Sequence, residues 1–299
     1  QIFTVLFSLR SSTSYQQYNI LLSTFAAQNN SMSFFKNKIV VVTGGSDGIG
    51  RALVDALLNQ GAKVATCGRN YDKLYQLQTA HAGTSLITYT ADVSNEADCR
   101  NFINEVSKNF GTIDILINNA GISMRALFQE TELETLKKVM DINFWGSVYC
   151  TKFALPEILK QKGTIVGVSS IAGYRGLPGR TGYSASKFAV NGFFEALRTE
   201  LLDTGVNIMW VCPGFTTSNI RNAALNKNAK AQGASPMDEG SMMSSEQCAA
   251  EIMHAIEKRK RTHVFTMNDK RTVFLNRLIP SLADKLTRKF FFKNGELVK

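Results

Sequence analysis

Proline, histidine and long apolar runs are all in short supply in this chain, and each shortage excludes something. The 299 residues contain three histidines, His81, His254 and His263, none at metal-ligand spacing from a second ligand, so no metal site is expected. The five cysteines, Cys67, Cys99, Cys150, Cys212 and Cys248, are odd in number, widely spaced and without a CxxC pair. That pattern excludes a disulfide framework and points to reduced, buried packing residues in a reducing, cytoplasmic compartment. No run approaches the roughly 18–20 apolar residues that a membrane span needs. Acidic residues are scarce at one end. Residues 255–299 hold twelve Lys/Arg against four Asp/Glu, so +8 of the net charge of +10 belongs to the tail and only +2 to the body. A nucleic-acid partner for the body is therefore not expected.

What remains is ordinary for a globular domain: 44% hydrophobic and 19% charged residues. Residues 1–31 begin at Gln1, carry Arg10 as their one charge and lack the basic start of a secretory signal. They read as a disordered or non-native lead, with the patterned chain beginning at Met32.

From Lys38 onward, short β-branched runs alternate with helical periodicity. Strands are expected at residues 39–42, 63–67, 85–91, 114–117, 164–168, 206–211 and 262–266. Helices are expected between them: 51–61, 71–81, 95–109 with Ser94 as its N-cap, 131–159, 183–203 and 245–257. Such alternation requires a Rossmann-type, doubly wound parallel sheet of about seven strands with helices on both faces. No internal repeat interrupts it. The expected organisation is the lead at 1–31, a single α/β domain at 32–267 and a basic extension at 268–299.

Two stretches carry chemistry. The first, TGGSDGIG at residues 43–50, joins the first strand to a helix. Gly44 permits the tight turn, Gly48 lets the backbone approach a phosphate and Gly50 lets the helix pack close to the sheet. The helix N-terminus offers N–H groups and a positive dipole end to a pyrophosphate. Thr43, Ser46, Asp47 and Ile49 complete this candidate segment. A dinucleotide that carries only a ribose 2′-hydroxyl would call for an acid about 20 residues further on. Arg69 stands there instead, nineteen residues after Gly50, which favours NADP(H) over NAD(H), although Asp72 is nearby.

The second stretch, SSIAGYRGLPGRTGYSASK at residues 169–187, follows a strand and ends in a YxxxK pair. Tyr183 and Lys187 are four apart and share a helix face. Ser170, thirteen residues earlier, can fold back onto that face across a Gly- and Pro-broken loop. A hydroxyl, a phenol and an ammonium converging on one point form a plausible proton-handling site.

With NNAG at residues 118–121, Asn143 in DINFWG and Pro213–Gly214 added, the ordered set resembles the classical short-chain dehydrogenase/reductase (SDR) family over about residues 36–266. In the SNI segment at 218–220 and the basic apolar C-terminus it looks most like the 11β-hydroxysteroid-dehydrogenase-like branch. The resemblance implies Tyr183 as general acid/base, its phenol lowered by Lys187 together with an oxidised, cationic nicotinamide. It implies Ser170 as donor to the developing oxyanion, Lys187 also on the nicotinamide ribose, and Asn143 as a water-binding relay to Lys187. Further cofactor contacts would come from Asp92 and Val93, from Asn118, Asn119, Ala120 and Gly121, and from Pro213, Gly214 and the segment of Thr216 and Ser218. The implied activity is interconversion of a ketone or aldehyde with an alcohol. A catalytically silent dinucleotide-binding sensor or scaffold is the alternative, and the intact Ser170, Tyr183 and Lys187 argue against it.

The substrate side is less defined. Residues 215–245 read as a lid over an apolar carbonyl or alcohol substrate, with Met237, Met242 and Met243 as an adaptable wall or as ordinary packing. The helix from Tyr183 is apolar almost all round, which favours a homodimer or homotetramer. The C-terminal extension has apolar residues at helical spacing punctuated by Lys and Arg, with Pro280 breaking it in two. It can pack on its own domain or lie as a peripheral contact on an anionic membrane.

Overall fold

A computed structural model of the chain describes residues 33–233 and 242–298. The chain divides into two units, Gln1–Phe34 and Phe35–Lys299. The architecture below is that of the second, and the lead at 1–31 lies outside the described residues.

Runs of Val, Ile and Leu with no polar alternation can be satisfied only by burial on both faces, and that is how they are used. The strands are β1 (Ile39–Thr43), β2 (Lys63–Gly68), β3 (Leu86–Thr90), β4 (Ile115–Asn118), β5 (Thr164–Val168), β6 (Asn207–Cys212) and β7 (Thr262–Val264). They form one parallel sheet in the order β3-β2-β1-β4-β5-β6-β7. Helices α1 (Gly48–Asn59) and α7 (Ser245–Glu257) cover one face, burying Leu53, Leu57, Ile252 and Ile256. Helices α3 (Glu96–Phe110), α5 (Gly146–Gln161) and α6 (Thr181–Glu200) cover the other with Phe102, Ile158 and Phe194. The remaining body helices are α2 (Tyr71–Ala80) and α4 (Leu133–Met140). The strand order reverses direction between β1 and β4, and the crevice at the carboxyl ends of these strands is where open parallel sheets bind ligands.

Three expectations need correction. Ser94 is not the N-cap of α3. Asn95 takes that place, its Oδ1 accepting from the amides of Ala97 (2.8 Å) and Asp98 (3.2 Å), while the Ser94 hydroxyl donates to Asp92 (2.7 Å). An amide reaches the first-turn donors from the helix axis, and the preceding serine is left to tie the strand end. The helix expected over 131–159 is two helices, α4 and α5, joined by a π-helical turn, Asp141–Trp145. That turn buries Asn143, whose side chain binds the backbone of Ile122 and widens the helix locally. Helix α6 begins at Thr181, two residues before Tyr183, so the tyrosine lies inside the first turn.

The C-terminal residues form α8 (Met267–Leu278), α9 (Pro280–Phe291) and a short hairpin of β8 (Phe292–Lys293) and β9 (Glu296–Leu297). Pro280 ends one helix and starts the next, at a position where its missing N–H costs nothing. Arg175 holds this segment by three bonds, to Thr287 (3.2 Å), Asn276 (2.9 Å) and Asp284 (2.6 Å). The Asn276 amide donates back to the Tyr174 carbonyl (2.9 Å), and Arg125 donates to the carbonyl of Leu297 (3.0 Å). Ala283 and Phe291 are buried, Leu282 and Leu286 face outward, and the half-exposed Phe290 stacks on Phe215 and lies edge-on to Phe291. Among the described residues no helix is long and apolar enough to cross a membrane.

Candidate active site

A cleft of about 720 Å³ runs along the carboxyl ends of β1, β2, β4, β5 and β6. Its floor at one end is the turn from β1 into α1. Gly44 and Gly48 have φ of +71° and +52°, a backbone that L side chains rarely adopt. A Cβ on Gly50 would fall 2.1 Å from the Gly44 carbonyl oxygen, so only glycine permits this approach. The Asp47 carboxylate caps α1, accepting from Gly48 N (2.8 Å), and forms an ion pair with Lys73. Burial pushes this carboxyl up, but Lys73, the Gly48 amide and Asn219 outweigh it and hold it below its usual value.

Thr43 and Asn118, both expected at the cofactor, lie beneath the cleft rather than on its wall. The Thr43 hydroxyl accepts from the amides of Asn119 and Ala120, each at 3.0 Å, while Asn119 returns a bond to the Thr43 carbonyl (2.9 Å). Asn118 is bonded to Thr151 (3.1 Å). These bonds fasten the ends of β1 and β4 together, and Asn119, Ala120 and Gly121 remain on the wall. Ser46, Ile49, Arg69, Asp92 and Val93 also line it, as do Pro213, Gly214, Thr216 and Ser218. Arg69 is more than half exposed, 4.0 Å from Asp92. Ser218 leans over the glycine turn: a Cβ on Gly48 would be 3.1 Å from its Cβ.

At the other end Ser170, Tyr183 and Lys187 meet. Ser170 lies two residues past the end of β5, and its Oγ accepts from the Ala172 amide (3.2 Å), so its hydroxyl proton is the group left to donate. Its partner is the Tyr183 phenol. The Lys187 Nζ donates to the Val168 carbonyl (2.8 Å) and lies 5.7 Å from the centre of the Tyr183 ring. Burial lowers this ammonium to about 8. The phenol moves the other way in the chain alone. Burial raises it above its ordinary value, and the Ser170 bond and the Arg180 charge, which act to lower it, do not offset that. The cation that opposes burial at the phenol is thus Arg180, not the expected Lys187.

Asn143 is buried behind this group. Its Oδ1 accepts from Ile122 N (2.8 Å), and its amide donates to Ile122 O and to Ser186 Oγ, each at 2.9 Å. A Cβ on Gly121 would stand 3.1 Å from the Asn143 Oδ1 and 3.5 Å from the Lys187 Nζ, so glycine keeps open the space between them.

On the substrate side, residues 216–233 bend over the cleft and are tied by Leu225 to Ser123 and Arg125 through backbone bonds of 2.9 and 2.8 Å. Met243 packs against the sheet core with Ile49 and Ala56 and does not line the cleft, which decides its role as packing. Met237 lies outside the described residues. Leu177, in the loop at 173–182 expected to touch the substrate, and Phe215, at the start of the expected lid, are on the wall, as are Lys73 and Arg180, which the sequence did not single out. Arg180 had a legible signal: it stands three residues before Tyr183, on the same side of the helix start.

The family model for short chain dehydrogenases matches residues 38–229. "Dehydrogenase/reductase SDR family member 7B" of Mus musculus is 33% identical over 260 residues, 85% of this chain and 77% of that one. "11-beta-hydroxysteroid dehydrogenase-like 2" of Arabidopsis thaliana is 39% identical over 187 residues, 61% of this chain and 60% of its own. A Burkholderia phymatum short chain dehydrogenase/reductase solved in complex with NAD superposes with a TM-score of 0.74 at 24% identity, covering 83% of this chain and 95% of the other, a likeness of fold alone.

Proposed function

Because the chain belongs to the short-chain dehydrogenase/reductase family, whose members are oxidoreductases acting on CH–OH groups, we propose that it interconverts an apolar, small-molecule or lipid-like ketone or aldehyde with its alcohol, using NADP(H). The observation that carries this reading is the convergence of Ser170, Tyr183 and Lys187 at one end of a cleft whose other end is a glycine-lined helix N-terminus. The residues fit a dinucleotide. The turn brings backbone close enough for a pyrophosphate at the start of α1, and Arg69 stands where a ribose 2′-phosphate would fall. When bound, the nicotinamide would supply or accept a hydride.

The protein's own part is proton and charge handling. A buried phenol above its ordinary value is neutral at physiological pH and is a proton donor to a carbonyl oxygen in the reducing direction. As negative charge develops on that oxygen, the Ser170 proton, which pairs with the Tyr183 phenol in this structure, would turn to face it as a donor in a partly dry site. Lys187 spends one of its three donors on Val168 and has two left for a nicotinamide ribose and for a water held between it and Asn143, the relay role proposed for Asn143.

The same reading extends to assembly and location. Phe188 on α6 and Trp145 in the π-helical turn are exposed aromatics, which supports pairing with a second copy as a homodimer or homotetramer. The five buried, unpaired cysteines support a reducing, cytoplasmic setting. The outward Leu282 and Leu286, near Lys285, Lys289 and Lys293, support peripheral contact with an anionic bilayer. Replacing Leu282 and Leu286 by Ser should reduce binding to phosphatidylserine vesicles, and unchanged binding removes the membrane reading.

The test of the activity is a screen of apolar ketones with NADPH, following nicotinamide absorbance, beside the Tyr183→Phe protein as a control. Turnover that survives the substitution would sink the mechanism.

A further inference from the structure

Arg180 is the N-cap residue of α6, one turn before Tyr183, and only 6% of its surface is exposed. Its guanidinium lines the cleft beside Tyr183. Phe291 and Phe215 flank it, with ring centres 5.6 and 5.9 Å from its Cζ. No carboxylate and no hydrogen-bond acceptor is paired with its side chain among the described residues. Among the described residues the charges acting on it are mostly of its own sign, those of Arg125 and Arg221, and Tyr183 is the group of opposite tendency. Arg221 is bonded to the Thr216 carbonyl (3.0 Å), Arg125 to that of Leu297.

A guanidinium has five donors, and burying it without an acceptor is among the costlier arrangements a fold can hold. Aromatic faces offset a part of that cost at these distances, and repulsion from two neighbouring arginines adds to it. Such a side chain is explained when a ligand brings the missing anion. The dinucleotide is not that ligand, since its pyrophosphate belongs at the start of α1 and none of the groups around Arg180 lies in the glycine turn.

We infer that the carbonyl substrate is an anion, an apolar chain carrying a carboxylate or phosphate that Arg180 binds beside Tyr183. This rests on the proposed oxidoreductase reading and narrows its substrate class. The Phe215 ring on the cleft wall receives the apolar part while the buried Phe291 backs the guanidinium, and Arg180, with its planar fork, takes the anionic group in a paired geometry. Because Phe291 comes from α9, the C-terminal segment held by Arg175 supports Arg180 from behind the cleft wall.

The test measures binding separately from turnover. Calorimetry on the NADP-saturated protein compares 4-oxodecanoate, its methyl ester and the matching ketone ending in phosphate. Wild type should bind at least one of the two anions roughly 10- to 100-fold more tightly than the ester, and which of them is tighter identifies the anionic group. Arg180→Met keeps the apolar stem and should lose that preference while holding the ester and NADP as before; Arg180→Lys should recover part of it. Equal binding of anions and ester by wild type overturns the inference. So does an Arg180→Met protein that loses ester, anion and NADP alike, the result of a merely structural role. An Arg180-dependent preference without turnover of any ketone would leave the binding inference standing and overturn the oxidoreductase reading instead.

Discussion

The two ends of the cleft are built by different means. At the cofactor end the work is done by backbone: three glycines, a helix N-terminus and the Thr43–Asn119 bonds that lock β1 to β4. At the end proposed for substrate it is done by side chains drawn from distant parts of the chain: Arg180 at the start of α6 and Phe215 after β6 on the wall, with Phe291 from α9 behind the guanidinium. A backbone site tolerates little change and serves any ligand with a pyrophosphate. A side-chain site can be re-specified one residue at a time, which is how one scaffold serves many substrates.

Substitutions can break or sharpen this contrast. The largest effect should come where the two ends meet. Tyr183→Phe removes the proton donor and should lower kcat by roughly 10²-fold or more while NADPH affinity, measured by fluorescence titration, stays within about twofold. Loss of cofactor binding instead would place Tyr183 in the cofactor end. Next, Arg69→Ala should weaken NADPH binding by roughly tenfold or more and leave NADH nearly unchanged, because only the former has a 2′-phosphate to lose. Equal losses for both cofactors would refute the preference.

A smaller effect is expected at the far end. Arg175→Ala removes three bonds to α8 and α9 and should cost about 1–3 kcal/mol in urea unfolding. It should also open residues 267–298 to limited proteolysis before the body is cut. Simultaneous cleavage throughout would show that the extension is not held through Arg175.

The smallest effect is a pH dependence. Burial lowers Lys187 to about 8 in the folded protein against its ordinary 10.5, so between these limits the unfolded chain holds a proton that the folded one has released. Stability from this group therefore rises as pH increases from about 8 to 10.5. Cys67, Cys212 and Cys248, pushed up to about 12 by burial, act in the opposite sense above pH 9. The Lys187 contribution is accordingly the difference between wild type and Lys187→Met in urea midpoint across that range. Parallel curves would mean the ammonium is not desolvated.

Much of the cofactor end could be read from the chain, and for a physical reason. The β-branched runs, the glycine turn and the YxxxK spacing are local patterns whose consequences follow from backbone geometry within one βαβ unit or one helix turn. Errors arose where a local rule had two candidates, as with Ser94 and Asn95 at the start of α3, or where a tertiary bond bent a regular element, as Asn143 does in making the π turn. Thr43 illustrates another limit: a hydroxyl beside a glycine turn reads as a ligand contact, and only the neighbouring strand shows that it is spent on Asn119 and Ala120.

By itself, then, the sequence determined the parallel sheet, the place of the glycine turn and the identity of the Ser170, Tyr183 and Lys187 group, because each depends on residues close in the chain or on periodicity. The tertiary structure alone decided that Met243 packs in the core, that Arg175 holds the C-terminal helices and that Arg180 is buried with no acid paired to it among the described residues. These are facts about neighbours about a hundred residues apart or about an absent partner, and no local pattern encodes either. The direction of the Tyr183 shift belongs with them, since burial, the largest influence on that phenol, exists only once the chain has closed around it.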